Sequence, residues 1–117
     1  VMPAHPVFLD LDAPIALETP VDASRLERGT PHTGVLIARE NSTKKFHTGQ
    51  WRAETGAWRV SYDEEELCVI LSGSGVLISD DGSRFPFKAG DVFVIPAGFS
   101  GLWDNAEEVR KIYAIVE

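Results

Sequence analysis

The sequence predicts an all-β chain, and three observations carry that prediction. Between residues 66 and 113 the apolar runs are short and are split by the turn signals SGSG, DDG, KAGD and PAG. That is how closed or sandwiched antiparallel β-structure is written. Residues 58–62 (WRVSY) alternate with period two, placing Trp58, Val60 and Tyr62 on one face and Arg59 and Ser61 on the other. No segment carries a long helical apolar stripe.

The elements follow in order. Residues 1–33 hold five of the seven prolines, at 3, 6, 14, 20 and 31. Proline removes a backbone donor, so this stretch is an irregular arm that decorates a sheet edge, wraps the barrel or packs on a neighbouring subunit. Within it SRLER is long enough for one helical turn. The domain proper is expected over 34–117. Residues 33–39 (TGVLIAR) form a strand rich in branched apolar side chains, and 45–52 (KFHTGQWR) form the next after a polar turn. Asp63, Glu64 and Glu65 read as a solvated turn. Residues 66–71 lead into SGSG, read as a hairpin turn that uses glycine for positive φ. Strands follow at 76–79, at 84–88 (where Pro86 fits an edge), at 92–95, at 99–104 and at 109–116. With links of about two to five residues, about nine strands make a Greek-key barrel or jelly roll.

Composition bounds the function. The chain has 117 residues, 44% of them hydrophobic, which suits one compact domain. Eleven basic against 18 acidic residues leave a net charge of −7, which argues against a nucleic-acid or anionic-membrane binder. No apolar run approaches the roughly 18 to 20 residues of a membrane span. With the single cysteine, Cys68, no internal disulfide forms. A cytoplasmic location is expected.

Two motifs then narrow the class. Gly90-Asp91 is followed by four apolar residues and by Pro96-Ala97-Gly98, and Glu66 stands seven residues before Gly73. These resemble the second and first motifs of the cupin superfamily, a resemblance that implies a double-stranded β-helix, the jelly-roll barrel. Trp51, Gly56, Trp58, Val60, Tyr62, Ala89-Gly90-Asp91, Pro96-Ala97-Gly98-Phe99, Trp103 and residues 109–113 (VRKIY) extend it over 49–116. There the chain is similar to the small cupins associated with (S)-ureidoglycine aminohydrolase, and to the cupin protein of ethanolamine utilisation. The resemblance implies a small polar metabolite as ligand and, if there is turnover, a hydrolase or lyase acting on a ureido or amino acid.

The motif's histidine slots fall at Val60, Tyr62 and Gly101, its glutamate at Glu66 and its asparagine at Asn105. A first-row metal needs three or four converging N or O ligands. With the imidazoles missing, no metal ligands are assigned and no cofactor is expected, although a divalent metal held by other groups stays open. His5, His32 and His47 show no ligand spacing, and His47 reads as a surface or edge residue.

A pocket is still expected. Alternation puts Trp58, Val60, Tyr62, Glu66, Cys68 and Ile70 on the barrel-facing side, with Trp103, Lys111 and Tyr113 approaching from other strands. Glu66 is expected to pair with Lys111 or Arg110, or to act as a general base while Tyr62 or Lys111 polarises the substrate. The alternatives are that Glu66 and Lys111 are a structural buried pair beneath core aromatics, or that the chain is a non-catalytic assembly module. Cys68 reads as a small core hydrophobe and Asp91 as a turn-capping acceptor. Small cupins commonly pair, so a homodimer is expected.

Overall fold

In the computed structural model, residues 3–117 are described and form two facing antiparallel sheets. One has six strands in the order β1 (Thr19–Pro20), β3 (His32–Glu40), β4 (Phe46–Ala53), β11 (Val109–Val116), β6 (Glu65–Ser72) and β9 (Val92–Ile95). The other has five, β2 (Leu26–Arg28), β5 (Gly56–Ser61), β10 (Ser100–Asn105), β7 (Ser74–Ser79) and β8 (Arg84–Lys88). This is the jelly roll that the turn pattern predicts. Among the described residues no helix is long and apolar enough to cross a membrane.

Links β3–β4 and β7–β8 are hairpins, and from β4 onward each remaining link carries the chain across to the opposite sheet. That corrects the reading of SGSG: β6 and β7 lie in different sheets, and Gly73 turns the corner between them. Its φ is +89°, and a Cβ there would stand 2.1 Å from the carbonyl oxygen of Glu108. Only glycine lets the two backbones approach so closely. Pro86 lies on β8, an edge strand, where its missing N–H costs no ladder bond.

Alternation fills the interior. On β6 the side chains of Glu66, Cys68 and Ile70 are buried while their neighbours face outward. Trp58, Leu77, Phe87, Ile95 and Trp103 complete the core, each such apolar side chain contributing about 1.5–3 kcal/mol on burial. Phe87 and Trp103 meet with ring centroids 5.2 Å apart.

The proline-rich segment is fastened to the outside of the six-stranded sheet. Thr19 and Pro20 pair with Thr33 and His32, and Ile15 and Val21 are buried. The amide of Gln50 donates to the carbonyl oxygen of Asp10 (2.7 Å), and Arg110 donates to that of Ala13 (2.8 Å) and to Gln50 Oε1 (2.7 Å). The turn expected in SRLER is displaced: Ala23–Arg25 form one 3-10 turn capped by Asp22, and Leu26–Arg28 become β2. Pairing with β5 and a two-pronged contact of Arg28 with Asp104 (3.0 and 2.7 Å) outweigh the local helical preference.

Candidate functional site

β4, β11 and β6 are adjacent strands, and their register sets the site. Trp51 pairs with Lys111 and Gly49 with Tyr113 across β4 and β11, while Lys111 pairs with Ile70 and Tyr113 with Cys68 across β11 and β6. Side chains two apart on these strands therefore converge on one interior. They line an open cavity of about 440 Å³, with Trp51, Trp58, Trp103, Glu66 and Lys111 at its floor. Tyr62, Tyr113, Glu64, His47 and Ile115 rise from the floor to the mouth.

At the floor the Lys111 ammonium lies 2.6 Å from Glu66 Oε2, with both side chains less than a tenth exposed. The Cys68 thiol donates to the same oxygen at 3.1 Å, and Lys111 Nζ is 3.6 Å from the sulfur. Nζ also stands 4.4 Å above the Trp103 ring and 4.6 Å above that of Trp51. A carboxylate and two aromatic faces thus hold the largely buried cation at the cavity floor. Trp103 is itself fixed, its indole N–H donating to Asn105 Oδ1 at 2.6 Å.

These surroundings hold protons on the neighbouring groups. Burial pushes the Cys68 thiol up to about 12, the Lys111 charge opposing and the Glu66 charge adding. Burial likewise raises the Tyr62 phenol far above its ordinary value, and the nearby Glu66 charge adds to it. Tyr113 is raised for the same two reasons. Both phenols are therefore hydrogen-bond donors at neutral pH, and the thiol is not a nucleophile.

Of the residues singled out in the sequence, Trp58, Tyr62, Glu66, Trp103, Lys111 and Tyr113 line this one cavity. Val60 and Cys68 do not. Val60 packs against the core, and Cys68 has no exposed surface, lying behind Glu66. Arg110 is excluded as a partner of Glu66 because strand alternation turns it to the outer face, onto Gln50. His47, read from sequence as a surface or edge residue, lines the mouth, as does Glu64, read as part of a solvated turn. The period-two placement of His47, Gly49 and Trp51 on one face of β4 is the available signal for Trp51 and His47. A second cavity, of about 430 Å³, lies between β8 and β9 and is walled by Phe85, Phe87, Phe93 and Phe99. Its charged residue, Asp91, caps the turn by accepting from the Lys88 N–H (2.9 Å).

The metal-ligand slots of the cupin motifs hold Val60, Tyr62, Glu66 and Gly101. Val60 and Gly101 face one another across β5 and β10. A Cβ at Gly101 would stand 2.0 Å from the carbonyl oxygen of Ile78, so that slot has no room for a ligand side chain. Glu66 accepts from an ammonium group. This donor set does not fit a metal centre at the cavity floor, which needs three or four converging donors.

A two-sheet jelly roll with an aromatic-walled cavity at one end defines a cupin. The sequence agrees: residues 40–113 match the EutQ-like cupin domain, and the chain belongs to that family. Among solved structures, it is similar to a protein of unknown function of the DUF861 family from Pseudomonas syringae pv. tomato. That match has 24% identity over 92% of this chain and 46% of the other, with a TM-score of 0.83. It also resembles the EutQ protein of Clostridium difficile (15% identity, 74% of this chain and 63% of that one, TM-score 0.65). A DUF861 family protein from Thermotoga maritima matches at 29% identity over 68% of this chain and 96% of its own, with a TM-score of 0.54. The chain thus spans about half the length of the first of these proteins and less than two thirds of the second. No curated protein matches it significantly.

Proposed function

We propose that the chain binds a small polar metabolite carrying ureido or amino groups in this cavity, with a lysine–glutamate pair rather than a metal at its floor. The observation that carries the reading is the Glu66–Lys111 contact at 2.6 Å inside an aromatic-walled space of about 440 Å³. Planar N–H-bearing groups suit these walls: they stack on indole and phenol faces and donate to carboxylates such as Glu64, while the Tyr62 hydroxyl serves a carbonyl oxygen. Binding is favoured over hydrolysis because Glu66 already accepts from both Lys111 and Cys68, which leaves it a poor general base.

The same reading makes the protein cytoplasmic, given its lone free thiol, and homodimeric. Leu67 and its cross-strand partner Val94, together with Val92, are exposed side by side on the outer face of β6 and β9 and suit a second copy. Light scattering distinguishes a dimer from a monomer.

Titration calorimetry in EDTA, with a panel of ureido acids and free amino acids as probes, tests the binding reading. A probe that binds wild type and binds about tenfold more weakly to Tyr62→Phe, the loss of one hydrogen bond, supports it. Binding by no member of the panel, or binding unchanged in Tyr62→Phe and Glu64→Gln, overturns it.

A further inference from the structure

The mouth of the cavity carries a second cluster that the cupin motifs do not account for, and of its members only Glu64 figures in the proposed ligand's recognition. A ring nitrogen of His47, a carboxylate oxygen of Glu64 and one of Glu117 all lie within 4.8 Å of one another. His47 lies on β4, Glu64 just before β6 and Glu117 just after β11, three adjacent strands of one sheet. His47 pairs with Ile115 across β4 and β11, and Ile115 pairs with Glu66 across β11 and β6. Glu64 and Glu117 each stand two residues beyond that row, and the Glu117 backbone is held in place by its N–H donating to the Lys45 carbonyl oxygen (2.9 Å).

Two features separate this cluster from an ordinary solvated acidic edge. The first is the orientation of the histidine. His47 Nδ1 lies 3.0 Å from Glu40 Oε2, outside the trio, and the imidazole is more than two thirds buried. A carboxylate beside one ring nitrogen restrains the ring and leaves the other nitrogen available as a ligand, as carboxylates do behind metal-bound histidines. The second is charge. Glu40, Glu64 and Glu117 surround one imidazole, and among the described residues no lysine or arginine pairs with any of the three within 4.0 Å. Even a protonated His47 offsets one negative charge of three, so a further cation among these oxygens lowers their mutual repulsion.

We propose that His47, Glu64 and Glu117 bind a divalent first-row transition ion at the cavity mouth, with Glu40 as the group that orients His47. One imidazole and two carboxylates suit Zn²⁺ or Mn²⁺, with water completing the shell. The site is separate from the motif's metal slots at Val60, Tyr62 and Gly101, and it does not depend on the metabolite reading, which is tested in EDTA.

The experiment is calorimetric titration of Zn²⁺, and separately Mn²⁺, into the full chain carrying no affinity histidines. One ion per chain is expected. His47→Ala and Glu64→Gln each weaken binding at least tenfold. Glu40→Gln weakens it by about tenfold, as loss of an orienting partner does. Tyr62→Phe, on the wall below, leaves it unchanged. If His47→Ala proves unfolded by circular dichroism, His47→Gln replaces it. Absence of binding up to millimolar ion, or affinity unchanged in the His47 and Glu64 variants, overturns the proposal. So does binding that is lost in Tyr62→Phe while surviving in His47→Ala.

Discussion

The Lys111 ammonium sits 2.6 Å from the Glu66 carboxylate and between the faces of Trp51 and Trp103, so the barrel interior of this chain holds a covalently tethered cation. Glu66 occupies the one metal-ligand slot whose residue matches the cupin motif. Its partner is supplied by the neighbouring strand β11.

Breaking that pair from one side leaves a buried charge without compensation. Glu66→Gln alone or Lys111→Met alone is expected to cost about 3–5 kcal/mol in urea unfolding. The double variant Glu66→Leu/Lys111→Met recovers most of the loss, since methionine still packs on the indole faces. Single variants that unfold at the wild-type midpoint would show the pair to be energetically silent.

Alkaline stability follows from the raised thiol and phenol. Cys68 keeps its proton to about 12 in the folded chain, whereas an unfolded thiol loses it near about 8.5. Over that window the folded state binds more protons than the unfolded one, so stability falls as pH rises. The contribution is fully present below the unfolded value and is lost as pH climbs toward the folded one, and Tyr62, shifted the same way, adds to it. Urea midpoints measured from pH 8 upward should decline, and the decline should be shallower in Cys68→Ala and in Tyr62→Phe.

Gly101 closes the third histidine slot sterically. Because a Cβ there meets the Ile78 carbonyl oxygen at 2.0 Å, Gly101→Ala is expected to destabilise the fold by about 1–3 kcal/mol through strand displacement. Installing histidines at 60, 62 and 101 together should therefore yield no tight metal centre at the floor, which metal titration of the triple variant checks.

The proline-rich segment is held by polar contacts from the outer face. Arg110→Met removes donors to the Ala13 carbonyl and to Gln50 Oε1 and is expected to cost about 1–3 kcal/mol. Limited proteolysis should then cut within roughly the first 15 residues faster than in wild type, because a segment held by few contacts opens locally without global unfolding. An unchanged cleavage rate would mean that Ile15 and Val21 alone anchor it.

Much of this protein is legible in the chain alone. Turn residues at short intervals and period-two alternation specify strands directly, because each acts within a few residues of chain. That is why Trp58, Tyr62 and Glu66 can be placed on an inward face, and Pro86 on an edge. The same local signals misread SGSG as a hairpin, because a glycine turn looks alike whether the next strand pairs with the last one or crosses to the opposite sheet. They also pass over His47 and Glu64, whose partners lie on other strands.

Alternation and turn chemistry are written residue by residue, so the linear chain is enough to set the all-β class, the jelly-roll architecture and the inward set on most strands. Which inward residues meet is settled in three dimensions. Register between β4, β11 and β6 selects Lys111 over Arg110 as the partner of Glu66, and gathers His47, Glu64 and Glu117 at one rim. Register is a property of pairs of strands far apart in the chain, and a shift of one residue would turn each of these side chains to the opposite face.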